Sequence, residues 1–146
     1  MIRLAHFSAL AAEYDGFILD LWGVIHDGVA PYPGATECLS ALRAAGKRIV
    51  LLSNAPRRAG AIQGQLRKMG IPASEYDGVM TSGEATYLML RDRADPWYQA
   101  LGRSVFHLGP ERDRNVLLGL DLELCDTPDG AGFMLNTGPD DHLNPT

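Results

Sequence analysis

Residues 17–28 read F-I-L-D-L-W-G-V-I-H-D-G, and Asp20 is the side chain in them best placed for chemistry. Phe17, Ile18 and Leu19 form a short apolar run of the kind that makes a fully buried strand of a parallel sheet. The run stops on Asp20, which puts a carboxylate at the carboxyl end of a strand, outside which open α/β sheets bind their ligands. The alternative is that Asp20 caps the turn that follows. Gly23 comes three residues later, and Asp27-Gly28 is a strong short hairpin signal, so strand, acid, tight turn and a small flap follow in order. A second strand end is predicted at Ser53-Asn54, after the apolar run Ile49 to Leu52. The intervening helix makes a βαβ unit, so Asp20 and Ser53 are expected as neighbours. A hydroxyl and an amide beside a carboxylate suit phosphoryl transfer, where positioning and charge stabilisation do most of the catalysis. An ordinary turn before Pro56 is the competing account of Ser53 and Asn54.

Other elements are read from periodicity. Ser8 is placed to cap a short helix over 9–13. Pro33-Gly34 opens a helix with Ala35, Leu39, Leu42 and Ala45 on one face, stopped by Gly46. Pro56 is expected at a first helical position, ahead of a stripe of Ala59, Ile62, Leu66 and Met69 that Gly70 ends. Arg57 and Arg58 then fall in the first turn, where cations are unwelcome unless an anion is bound. Val79-Met80 is a brief strand entering T-S-G-E-A-T at 81–86, where Thr81, Ser82 and Gly83 either bind an anion through backbone N–H groups or cap the next helix. Residues 95–102 read as a connecting segment. Strands are expected over 104–108, 122–124 and 132–135, with a short helix after Gly109-Pro110. His107 lies inside the first of these strands and reads as a core histidine. The last residues, G-P-D-D-H-L-N-P-T, carry no packing signal.

The chain has 146 residues, a formal charge of −5 and 46% apolar residues, with a pI near 5.2. This is the composition of a globular domain, and it argues against a nucleic-acid or anionic-membrane surface, both of which need concentrated Lys and Arg. Cys38 and Cys125 have no paired spacing for zinc or a disulfide framework. With no signal-like N-terminus and no run long enough to span a membrane, the cytoplasm is the default location.

The D-L-W-G-V run at 20–24, the flap, P-G-A at 33–35, the strand ending on Ser53-Asn54 and T-S-G-E-A-T at 81–86 together resemble the haloacid dehalogenase superfamily. The resemblance is to its subclass IIA, the NagD-like and 4-nitrophenylphosphatase-like group. It implies an α/β fold, a Rossmannoid parallel sheet flanked by helices with a flap hairpin after the first strand. It also implies that residues 1–136 are the N-terminal part of the core, running towards a cap insertion, and that 137–146 are a tail or the start of that cap. The second half of the core and most of the cap, with the Lys and the further metal acids, lie outside this sequence.

The activity the resemblance implies is hydrolysis of a phosphomonoester of a small metabolite. Asp20 would be the nucleophile, forming an aspartyl-phosphate that water hydrolyses. Mg²⁺ would be held by Asp20 and the backbone carbonyl of Trp22. Phosphate would be bound around Trp22, Gly23, Ser53, Asn54, Arg57, Thr81 and Ser82. The sequence departs from the family at Trp22, which stands where a second Asp protonates the leaving oxygen. Three consequences stay open: the leaving group needs no acid, another residue such as His26 substitutes, or the reaction is lost. A dehalogenase-like displacement at carbon and a non-catalytic binding module are the alternatives to a phosphatase. An uncovered sheet edge would also favour pairing between copies of the chain.

Overall fold

The computed structural model describes residues 7–139. Its contacts divide the chain into two compact units, one of residues 1–53 and 60–80, the other of residues 54–59 and 81–146.

The first unit is built on strands β1 (Gly16–Asp20), β2 (Arg48–Ser53) and β3 (Gly78–Thr81), in the order β1-β2-β3. β1 and β2 are parallel, in a register that runs from Gly16 opposite Arg48 to Asp20 opposite Leu52. Before β1 lies a single helical turn, α1 (Ser8–Ala11). Ser8 does not cap it, because the N-cap residue is Phe7 and no side chain caps the helix. α2 (Ala35–Ala44) follows Gly34, whose φ of 82° is a left-handed conformation that glycine adopts without penalty. α2 contributes the fully buried Leu39, and α3 (Ala59–Lys68) contributes Leu66. Both belong to one core with Ile49 and Leu51 of β2.

The strands are not buried on both faces, as the unbroken apolar runs suggested. Burial alternates along β1 and β2. Among the described residues Ile18 (72%), Val50 (37%), Leu52 (46%) and Met80 (39%) remain accessible, so this sheet buries one face of its pleat. Asp77 ties the amino-terminal ends together: its carboxylate accepts from the Ile49 N–H (2.6 Å) and from Arg43 Nη1 (2.9 and 3.0 Å). Those two contacts, the Ile49 N–H first, hold the Asp77 carboxyl below its ordinary range.

The second unit has a three-stranded parallel sheet of its own, with β4 (Ser104–Leu108) between β5 (Glu123–Cys125) and β6 (Phe133–Asn136). α4 (Ser82–Asp92) precedes it, then α5 (Pro96–Ala100). The segment expected only to connect is thus helical, capped by the Asp95 side chain on the Trp97 N–H (2.8 Å), with Pro96 in its first turn. The helix expected after Pro110 is a 3₁₀ segment, Glu111–Val116. His107 is buried, as read, with Nε2 2.9 Å from Thr137 Oγ1. Both cysteines are free thiols, and no helix among the described residues is long and apolar enough to cross a membrane.

Candidate active site

β1 delivers Asp20 to its carboxyl end, exposed to solvent. The side chain does not fold back far: Oδ1 accepts the N–H of the next residue, Leu21, at 2.7 Å. Leu21 is buried, and its N–H also donates to Leu52 O (3.2 Å), which continues the strand pairing one step past the acid. Ser53 closes β2 one residue beyond Leu52, the partner of Asp20. The structure therefore brings Asp20 and Ser53 to adjacent strand ends.

Beyond Asp20 the chain reverses at Gly23, whose φ is 79°. The Ile25 and His26 N–H groups both donate to Leu21 O, and the Gly23 N–H donates to His26 O at 2.9 Å. The flap is held by isolated bridges from His26 to Trp22 and from His26 to Pro31 rather than by paired strands. Its tip is an Asx turn in which Asp27 Oδ1 accepts the Val29 and Ala30 N–H groups, each at 2.8 Å. These hydrogen bonds, Ala30 first, hold the Asp27 carboxyl below its usual range.

Trp22 is 64% exposed and packs on the flap. Its ring meets that of His26 edge-on, with centroids 6.1 Å apart at 84°. A Cβ placed on Gly28 would overlap the six-membered part of the indole, and Gly28 has a φ of 97°, so only glycine suits that position. His26 is 6% exposed, and its Nδ1 accepts the Gly28 N–H at 2.9 Å. Burial lowers its pKa, an effect that the neighbouring Asp27 only partly offsets. His26 is thus a buried strut of the flap. The Asp-Gly pair signalled the flap in the sequence, but nothing there marked the histidine as its internal acceptor.

The remaining predicted site residues, Asn54, Arg57, Thr81 and Ser82, belong to the second unit. Thr81 caps α4: its hydroxyl is buried, donates to Arg57 O (2.6 Å) and accepts the Glu84 N–H (2.8 Å). The Ser82 hydroxyl lies within hydrogen-bonding distance of Asn54 O (2.8 Å) and Ala55 O (3.0 Å). Arg57 and Arg58 do not occupy a first helical turn, because α3 starts only at Ala59. Arg57 Nε is 4.0 Å from the buried Asp113 carboxylate. Arg58 forms a forked pair with Glu84 (2.8 and 3.1 Å), and its guanidinium carbon is 3.3 Å from the centre of the Tyr87 ring. T-x-x-E at 81–84 reads as a capping box, but Glu84 uses its Oε2 on the Ala59 N–H (2.9 Å) instead of closing the box.

Arg58 above all, and then the Ala59 N–H, depress the Glu84 pKa. A carboxyl depressed in the folded state stabilises fully above its unfolded pKa, and that contribution is lost as pH falls through the folded value. Glu84→Gln is expected to cost ~1–2 kcal/mol near neutral pH, after discounting for partial exposure of the pair. The gap should narrow in acid, as pH drops below the ordinary glutamate range and through the depressed folded value. Urea melts at both pH values measure this; a gap that persists undiminished in acid would contradict it.

A complete Mg²⁺ site takes about six oxygens, with one or two carboxylates among them. Among the described residues no group of three or more His, Cys, Asp or Glu could hold a metal ion. Asp20 and the Trp22 carbonyl are therefore a partial donor set and do not by themselves fit a bound ion.

The family model of the haloacid dehalogenase-like hydrolases matches residues 17–123. Human glycerol-3-phosphate phosphatase is 38% identical over 90 residues, covering 58% of this chain and 28% of its own. A haloacid dehalogenase-like hydrolase from Brucella suis superposes with a TM-score of 0.83 at 33% identity, over 99% of this chain and 52% of the other. The 4-nitrophenylphosphatase of Thermotoga maritima gives a TM-score of 0.61 at 27% identity, over 87% of this chain and 46% of the other. The chain spans between 28% and 50% of the length of curated relatives such as glycerol-3-phosphate phosphatase and chronophin. With its parallel sheets, its flap and Asp20 at the end of β1, the chain belongs to the haloacid dehalogenase-like hydrolases, in their NagD-like and 4-nitrophenylphosphatase-like subclass.

Proposed function

We propose that this chain carries the nucleophile half of a phosphomonoester phosphatase, with Asp20 as the nucleophile. The observation that carries this reading is the placement of an exposed carboxylate at the end of β1, next to the end of β2 where Ser53 stands. Asp20 attacks phosphorus, the ester P–O bond breaks, and the resulting aspartyl-phosphate is hydrolysed to inorganic phosphate, restoring the carboxylate. The Leu21 N–H on Oδ1 orients the group and leaves its second oxygen for attack. The names of glycerol-3-phosphate phosphatase and 4-nitrophenylphosphatase support a small phosphate monoester as substrate.

Mg²⁺ is the cofactor proposed from the resemblance. It would neutralise charge on phosphate and carboxylate once donors beyond Asp20 and the Trp22 carbonyl complete its site. The test is release of inorganic phosphate from 4-nitrophenyl phosphate by the longest form of the protein that carries this chain, with and without added Mg²⁺, since the 146 residues alone are expected to be inactive. Turnover by that form supports the reading. Its absence at every metal concentration leaves the binding-module alternative in its place.

A further inference from the structure

Gly28, near the tip of the flap, is held from three sides. Its N–H donates to His26 Nδ1 at 2.9 Å, and the indole of Trp22 occupies the space where a side chain would stand. Its carbonyl accepts from Gln65 Nε2 at 3.4 Å. The first two contacts lie within the flap, whereas Gln65 belongs to α3, 37 residues further along the chain. Gln65 is half-buried, and the fully buried Leu66 beside it fixes that stretch of α3 in the core of the first unit. The flap is stiffened by isolated bridges rather than by a strand ladder, so a tether to a packed helix limits how far its tip can swing. At 3.4 Å this bond is long for N–H···O, which makes it the link that a small change breaks first.

The root of the flap is Leu21. Its carbonyl accepts the Ile25 (2.9 Å) and His26 (3.1 Å) N–H groups, and its N–H donates to Asp20 Oδ1 (2.7 Å). One buried residue thus carries the flap on its carbonyl and the nucleophile's carboxylate on its N–H. We propose that Gln65 is a positioning residue of the Asp20 site: by holding the flap at Gly28 it steadies Leu21 and, through Leu21, keeps the attacking carboxylate aligned with phosphorus. This rests on the phosphatase reading and deepens it. Gln65 acts through the hydrogen bonds at Gly28, His26 and Leu21, so its loss tilts the flap and reorients the N–H that Asp20 accepts. Leu21 is also anchored by its buried side chain and by its N–H on Leu52 O (3.2 Å), which damp that motion. The effect is therefore expected below the hundredfold or so that a misplacement of about 1 Å costs.

The experiment measures kcat and KM for 4-nitrophenyl phosphate on the longest form of the protein that carries this chain, with Gln65→Leu and Gln65→Glu beside wild type. Both variants approximate the bulk of glutamine and lose its N–H donor. In both, kcat is expected to fall about tenfold with KM held within about twofold, because the interaction lost is one that aligns the reacting atoms. The same proteins labelled with fluorotryptophan give a fluorine NMR signal for Trp22, assigned by Trp22→Phe, and that signal should shift in both variants as the flap loosens. A role in stability alone would lower the urea midpoint while leaving kcat and the Trp22 signal unmoved, and that result would overturn the proposal. So would a rise in KM with kcat unchanged. If wild type turns over no ester, the phosphatase reading fails and the Trp22 signal decides the tether separately. A shift in both variants then upholds it, and an unmoved signal overturns it.

Discussion

Asp20→Asn is expected to remove phosphatase turnover by a factor of ~10⁴ or more, the scale on which loss of a nucleophile is felt, while the protein unfolds where the wild type does. The two halves of this expectation have separate physical causes. The amide oxygen of Asn can still accept the Leu21 N–H that Asp20 Oδ1 takes at 2.7 Å, so the end of β1 keeps its geometry. The side chain is exposed, so no buried charge is lost and no cavity opens. What disappears is the anionic oxygen that bonds to phosphorus. Steady-state hydrolysis of 4-nitrophenyl phosphate and thermal melts on the same preparation measure both halves. Activity within tenfold of wild type would remove Asp20 from the nucleophile role.

Gly83→Ala should destabilise the second unit by ~1–3 kcal/mol, as overpacking does, although Gly to Ala inside a helix ordinarily gains about 0.5–1 kcal/mol. Gly83 is the second residue of α4 and buried. A Cβ there would lie 2.5 Å from Arg57 N and 2.6 Å from both Arg57 O and Pro56 C. All three are backbone atoms that no rotamer change can clear. The segment cannot move aside cheaply, because the Gly83 N–H donates to Ala55 O (3.1 Å) and the Thr81 hydroxyl donates to Arg57 O (2.6 Å). Urea denaturation compares the variant with wild type. A more stable variant would show that the 55–57 backbone does not lie against α4 as described.

Much of this arrangement was legible in the sequence. Apolar runs ending on Asp20 and on Ser53 located two strand ends, and Gly23 located the turn after the first. Thr81, Ser82 and Gly83 at a strand-to-helix junction offered a cap for α4, and Thr81 serves as that cap. Less legible was anything decided by a distant partner. Pro56 looked like the start of α3, but residues 55–58 are held by α4 and by Glu84, so the helix begins at Ala59. The runs through β1 and β2 carried no sign that Ile18, Val50 and Leu52 would stay accessible, because a continuous apolar run has no marked face. Strand partners were hidden for a similar reason: nothing in residues 104–108 says that β4 pairs with β5 and β6. α5 was readable and missed, since Asp95 before Pro96 is an N-cap followed by a favoured first-turn proline. At the site, Trp22 was visibly the odd residue, but its bearing on Gly28 and the commitment of His26 needed the folded flap.

The claim on which the rest depends is that Asp20 becomes covalently phosphorylated. An acyl-phosphate is reduced by borohydride, which would convert Asp20 to homoserine, so rapid acid quench during turnover, reduction and peptide mass spectrometry report the site directly. The modification is expected on the peptide spanning β1, at position 20, and is expected to be absent in Asp20→Asn. Turnover with an unmodified Asp20, or with the phosphoryl group on another residue, would contradict it.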